Sequence, residues 1–151
     1  MADEVLAKAL GAIGRKERTV FEMCEWLAAR EVEEVEIDRV VNFLIEIEAL
    51  DDRRFAFAYA SDKRQLAGWG RTRIRENLLK RGLGRDLIEQ ALVIDDEGEV
   101  GEIERAVQAL EQRGADLSDD RGRSRALGLL ARRGYSSEEA YAAIRRLSSV
   151  P

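Results

Sequence analysis

Histidine is absent from the 151 residues, and Cys24 is the only cysteine. These two facts exclude His-based nucleophilic triads, Cys/His zinc sites, intramolecular disulfides and iron–sulfur clusters. Proline occurs once, as Pro151, so no internal proline interrupts a helix. No apolar run approaches the roughly 20 residues that a bilayer-spanning helix needs, because Arg, Glu or Asp breaks each group. The opening MADEVLAKAL is acidic and lacks a cationic n-region, which predicts no secretory signal and a cytoplasmic protein. There is no phosphate-binding glycine loop of the P-loop kind and no G-x-G-x-x-G. A carboxylate-only magnesium site has no supporting motif. Cys24 lies in VFEMCEWL with Phe21 and Leu27 at helical spacing, and reads as a small buried hydrophobe. The expectation is a protein without catalysis, cofactor or metal.

What is present is helical and repetitive. Hydrophobic residues make up 45% and charged residues 36%, enough for a core at a mean hydropathy of −0.36. Residues 71–92 read RTRIRENLLKRGLGRDLIEQAL, and residues 123–144 read RSRALGLLARRGYSSEEAYAAI. An offset of 52 matches Arg71 with Arg123, Arg73 with Arg125, Leu78 with Leu130, Arg81 with Arg133 and Gly82 with Gly134. A looser copy starts at Thr19. Thr19-x-x-Glu22 and Ser136-x-x-Glu139 have the form of capping boxes. Gly82 and Gly134 follow basic residues, as glycines closing a helix in a left-handed conformation do. Gly68-Trp69-Gly70 marks a turn. VEEVEI, from Val32 to Ile37, is the nearest approach to strand alternation and leads into a helix. The fold class is all-α: tandem three-helix repeats in three modules, forming an elongated or curved array. The boundaries fall at 1–50, 51–93 and 94–151, the last beginning with an acidic connection over Val93–Val100.

Charge is unevenly divided among the modules. Residues 1–51 hold six basic and thirteen acidic residues, residues 52–91 ten and five, and residues 92–151 nine and twelve, so the balances are −7, +5 and −3. The cationic middle module supplies the candidate partner-binding residues: Lys63, Arg64, Arg71, Arg75, Lys80, Arg81 and Arg85. The spacing allows Arg64, Arg71, Arg75 and Arg81 one broad face across the turn, with Arg73 directed elsewhere. Such a face is either a solvated surface with intramolecular partners or a surface for a polyanion or acidic protein patches. Trp69, between two glycines, reads as a packing plug, and Trp26 as core or inter-module packing. A second basic cluster, Arg121, Arg123, Arg125, Arg132 and Arg133, is offset by Asp119 and Asp120.

Leu50 to Leu83, LDDRRFAFAYASDKRQLAGWGRTRIRENLLKRGL, resembles the bacterial RecX family. The family pattern is a leucine, paired acids, an Arg-Phe-Ala segment, a basic helix, a glycine turn, an Ile-Arg and a Leu-x-x-(Lys/Arg)-Gly helix end. Leu50, Asp51, Asp52, Arg54, Phe55, Ala56, Tyr59, Gly68, Gly70, Ile74, Leu78 and Gly82 match it. Arg18-Thr19 and Arg132-Arg133-Gly134-Tyr135-Ser136 are similar to its flanking helix junctions. Glu31 departs, standing where the first module commonly has glycine. The resemblance implies a non-enzymatic regulator that binds RecA or RecA–DNA filaments. There it would inhibit ATP hydrolysis and strand exchange and limit filament growth. Single- or double-stranded DNA is a further partner to consider, and a helical module acting directly on nucleic acid is the alternative. The pI of about 5.0 weighs against the latter. No membrane partner is expected.

Overall fold

The structure is a computed structural model that describes residues 2–93 and 98–149. Residues 94–97, the centre of the acidic connection expected over Val93–Val100, lie outside the described residues. Every regular element among the described residues is α-helical: α1 (Ala2–Arg15), α2 (Val20–Ala28), α3 (Glu34–Glu46), α4 (Asp52–Gln65), α5 (Arg71–Lys80), α6 (Arg85–Val93), α7 (Gly98–Arg113), α8 (Asp120–Arg133) and α9 (Ser137–Ser148). Val32–Ile37 leads into α3 as its sequence requires.

Three separate hydrophobic cores follow from the apolar spacing of these helices. Met23, Leu27, Val40 and Leu44 anchor the first, Phe55, Ile74, Leu78 and Ile88 the second, and Leu110, Leu130, Ala143 and Ile144 the third. Equivalent positions recur at offsets of 51 and 52: Leu27, Leu78 and Leu130 sit in the same place in three bundles. Each such leucine contributes roughly 1.5–3 kcal/mol by leaving water. Cys24 is partly buried and packs against the first core. Trp69 packs against the second, with its ring edge-on to Tyr59 at 6.4 Å.

The caps are those the sequence signals. Thr19 and Ser136 each accept a hydrogen bond from the backbone N–H three residues on, and Glu22 and Glu139 answer with the reciprocal bond. Gly82 and Gly134 adopt φ of 83° and 96°. In the first unit the corresponding residue is Glu31, held at φ 62°.

The units join by one device used twice. The first N–H groups of a helix and its last carbonyls have no partners within the helix. Here the start of one unit's middle helix sits on the end of the next unit's middle helix. The Thr19 hydroxyl, at the head of α2, donates to the Arg81 carbonyl at the tail of α5 at 2.7 Å. At the head of α5, the Gly70 N–H donates to the Arg133 carbonyl at 2.7 Å and the Thr72 N–H to the Gly134 carbonyl at 3.3 Å. Positive and negative helix ends therefore meet, and α8, α5 and α2 form a head-to-tail series. Tyr135, the residue after Gly134, extends its hydroxyl to the Gly68 carbonyl at 2.9 Å. Burial pushes its phenol pKa up, and the charge of Glu102 adds to that shift.

Candidate functional site

The seven basic residues singled out in the middle module do not form one surface. Arg64 is buried, 7% exposed, and donates through Nη2 to the Leu92 carbonyl, tying α4 to α6. Arg71 turns to the third unit: its guanidinium meets Glu139 Oε2 at 3.0 Å and Glu102 Oε2 at 3.9 Å, and its N–H donates to Glu102 at 3.0 Å. Arg81 turns the opposite way and forms a two-point pair with Glu22 at 2.9 and 3.0 Å while lying over the Phe55 ring. Burial opposes ionisation of Glu22, but the Arg81 and Thr19 hydrogen bonds prevail and hold its carboxyl below the usual range. Arg75 pairs with Glu89 at 2.6 Å across α5 and α6. The shared face of Arg64, Arg71, Arg75 and Arg81 is thus corrected. Arg71 and Arg81 turn to the two neighbouring units, whereas Arg64 and Arg75 both turn to α6, because an acid or carbonyl of that element lies opposite each.

Lys63 places its ammonium over Trp69 at 4.7 Å, and the Arg73 guanidinium lies over the same indole at 3.9 Å. Arg85 is exposed at the start of α6. Lys80 is exposed and lines a groove between α5 and α8 with Arg73, Arg132 and Arg133. That groove is continuous with one along α8, because Leu129 and Arg132 line both. The second groove adds Arg121 and Arg125.

Seven cations line the two grooves, and five of them form a stripe along the stacked helices, Arg121, Arg125 and Arg132 on α8, then Arg73 and Lys80 on α5, with Arg113 and Arg133 beside it. Its arrangement is a consequence of the repeat. Arg125 corresponds to Arg73 and Arg132 to Lys80 at the offset of 52, so stacking α8 on α5 carries one face across the junction. In the first unit the same positions hold Glu22 of α2 and Ala29 just past it, and the stripe stops there. Arg121, Arg125, Arg132 and Lys80 are exposed and have no ion pair among the described residues. Two acids interrupt the stripe, Asp116 and Glu76. The Ser118 hydrogen bonds, with Arg125 nearby, hold the Asp116 carboxyl below its usual range. The basic cluster of the third unit was visible in the sequence. Its continuity with Lys80 was not, although the matched pair Arg73 and Arg125 carries the signal. No group of three or more potential metal-ligating side chains occurs among the described residues, and no described helix is long and apolar enough to cross a membrane.

Fold and surface together define the class: an all-α array of tandem three-helix units with a cationic stripe along its stacked middle helices. Comparison with known proteins makes the assignment specific. The model of the first RecX three-helix domain matches residues 6–44, and that of the second matches residues 51–92. The chain is 33% identical over 149 residues to Regulatory protein RecX of Deinococcus radiodurans, covering 98% of this chain and 70% of that protein. It is 32% identical over 136 residues to Regulatory protein RecX of Mycobacterium ulcerans, covering 89% and 79%. The crystal structure of RecX from Lactobacillus salivarius superposes with a TM-score of 0.82 at 21% identity, covering 99% of this chain and 97% of that one. The chain belongs to the RecX family.

Proposed function

We propose that this protein is a non-enzymatic, cytoplasmic regulator that binds RecA or RecA–DNA filaments and modulates them. Its main effect is inhibition of ATP hydrolysis, strand exchange and filament growth. The observation that carries this is the match of both RecX three-helix domains, in order, over residues 6–92. The array offers a physical route. A head-to-tail series of units presents an extended surface, and opposite charges on facing surfaces speed encounter and fix register. Lys80, Arg73, Arg121, Arg125 and Arg132 make the contact in this reading. Arg71 and Arg81 act by holding the units together, Arg64 and Arg75 by tying α4 and α5 to α6 within the middle unit, and Lys63 and Arg85 flank the surface. The test is single-strand-dependent ATP hydrolysis by the matching RecA, titrated with this protein to equimolar ratio. Suppression that weakens when Lys80, Arg125 and Arg132 are changed to Ala supports the reading. An unchanged rate with the wild-type chain overturns it.

A second reading, direct binding of nucleic acid, is favoured by the same stripe. Its contacts would be to phosphate, with little base readout. Anisotropy of a labelled single strand then shows an affinity that falls steeply with salt. Binding without any effect on RecA would place this reading first.

A further inference from the structure

The head-to-tail series of middle helices is closed at one end and open at the other. Register places Gly122 of α8 where Thr19 and Gly70 stand in the other two units. Thr19 and Gly70 donate to the unit that follows, whereas the Gly122 N–H donates to its own Asp119 at 2.7 Å. A Cβ on Gly122 would collide with the Asp116 carbonyl, so the chain's own α7–α8 loop covers that head. The tail of α2, at the other end, is built like the tails that receive a unit. Val32, Leu83 and Tyr135 donate to the carbonyls of the equivalent leucines Leu27, Leu78 and Leu130 at 3.2, 3.3 and 3.0 Å. Arg30, Arg81 and Arg133 are equivalent in the same register. The Arg81 and Arg133 carbonyls each accept a bond from an incoming helix head, but the Arg30 carbonyl accepts none from the described residues.

The surroundings of this open tail are cationic. Lys8 and Arg15 of α1 line one concavity together with Arg30, Trp26 and Glu31, the single acid of its lining. Glu4, Glu33 and Glu34 stand close by in sequence but do not line it. Residues 1–51 hold six basic residues against thirteen acidic ones, so half the cations of the acidic unit gather at one place. Lys8, Arg15 and Arg30 make no ion pair among the described residues. The Arg30 guanidinium instead folds over the unit's own Trp26 at 3.5 Å, and that of Arg15 lies back beside Gly11.

The repeat shows what such a tail receives. Arg81, the equivalent of Arg30, holds the Glu22 carboxylate at two points, and its carbonyl accepts from the Thr19 hydroxyl. Both groups belong to the capped first turn of α2. We propose that the tail of α2 docks the first turn of a helix from another protein, with Ser or Thr at its cap and acidic residues just after it. The complementarity is double. Donors at the incoming head meet the carbonyls of the tail, and its carboxylates meet Lys8, Arg15 and Arg30. A second copy of this chain has no matching free head, because Thr19, Gly70 and Gly122 are engaged and Glu139 of the Ser136 box pairs with Arg71. This site lies in a different unit from the cationic stripe and stands whether or not the RecA reading does.

The test uses the full chain, isotope-labelled for NMR, and a lactam-stapled helical peptide of about 12 residues, about three turns, that begins acetyl-Thr-Glu-Glu-Glu. A peptide of the same residues in reverse order, with Thr and Glu at its C-terminal end, is the control of equal charge. At about 0.1 M salt the forward peptide is expected to bind one-to-one and shift the amides of Lys8, Arg15, Arg30 and Glu31 and the Trp26 indole N–H. The reversed peptide should bind more weakly. Arg30→Ala should weaken the forward peptide about tenfold, as loss of a charged hydrogen-bond partner does. Lys8→Glu/Arg15→Glu, which alters only exposed positions of α1, should weaken it too. Absence of binding to the wild-type chain, equal binding of the two peptides, unchanged binding by either variant, or shifts centred on Lys80 and Arg132 overturns the proposal. So does sedimentation showing self-association of the wild-type chain that Arg30→Ala abolishes, since a second copy would then be the occupant.

Discussion

Replacing Gly134 by Ala tests the junction device most directly. The residue sits at φ 96°, where an L side chain costs about 1–2 kcal/mol. A Cβ there would also lie 2.3 Å from the Arg73 Cβ and 2.5 Å from the Arg73 backbone nitrogen. Neither neighbour is the free end of a side chain, so the second and third units must separate to make room. Separation breaks the bonds from Gly70 to Arg133, from Thr72 to Gly134 and from Tyr135 to Gly68. At about 1 kcal/mol each, those bonds add about 3 kcal/mol to the local penalty. The expected loss is about 4–5 kcal/mol.

The assay is urea unfolding followed by Trp69 fluorescence in a Trp26→Phe background, since Trp69 lies between the two glycines of the junction. The variant should lose stability by that amount, and Trp69 should report a more polar setting before global unfolding. Glu31→Gly is the matched control, at the equivalent position of a unit end on which no other unit docks. It relieves the left-handed penalty against an unfolded-chain entropy cost of about 0.5–1 kcal/mol, so it should leave stability level or raise it by up to about 1 kcal/mol. A Gly134→Ala loss below about 1 kcal/mol with Trp69 unchanged, or a Glu31→Gly loss as large as that of Gly134→Ala, would refute the steric reasoning.

Three further outcomes follow from the same geometry. Arg71→Ala leaves Glu139 and the fully buried Glu102 without their shared cation, though Arg105 still meets Glu102 at 2.6 Å, so chemical denaturation should show a loss of about 3 kcal/mol. Glu22→Gln removes a carboxylate whose folded pKa is depressed; thermal melts across pH should show the variant less stable near neutrality, with the difference closing as pH falls through the folded pKa of Glu22. Ile74→Ala empties a fully buried position in the second core and should cost about 2–5 kcal/mol by urea titration, with far-UV circular dichroism retained in its absence.

What was legible in the sequence was local. The capping boxes at Thr19 and Ser136 close over three residues, the glycine caps depend on one backbone angle, and the cores of Leu27, Leu78 and Leu130 follow from helical spacing. The offset of 52 likewise exposed the repeat, because equivalent helices must bury equivalent faces. The basic residues behave otherwise, since a guanidinium's role depends on what lies opposite it. Arg64 meets a carbonyl 28 residues away, Arg81 a carboxylate 59 away and Arg71 one 68 away. No count along the chain distinguishes a compensated cation from an open one.

The pairings also give the charge pattern a physical meaning. Two of the middle unit's cations are answered by acids from its neighbours: Arg81 by Glu22 of the acidic first unit, Arg71 by Glu102 and Glu139 of the third. Part of the −7, +5, −3 alternation is therefore the electrostatics of one chain holding its own units together. The charge left for a partner is the remainder after those pairs are formed. That remainder lies where two stacked helices repeat the same cationic face, on Arg125 and Arg132 and then on Arg73 and Lys80. Middle-module charge alone thus points toward the assembly residues, whereas repeat register points toward the open surface. High salt should accordingly weaken contacts at the stripe more than the partly buried junction pairs, because exposed charges are screened more strongly than buried ones.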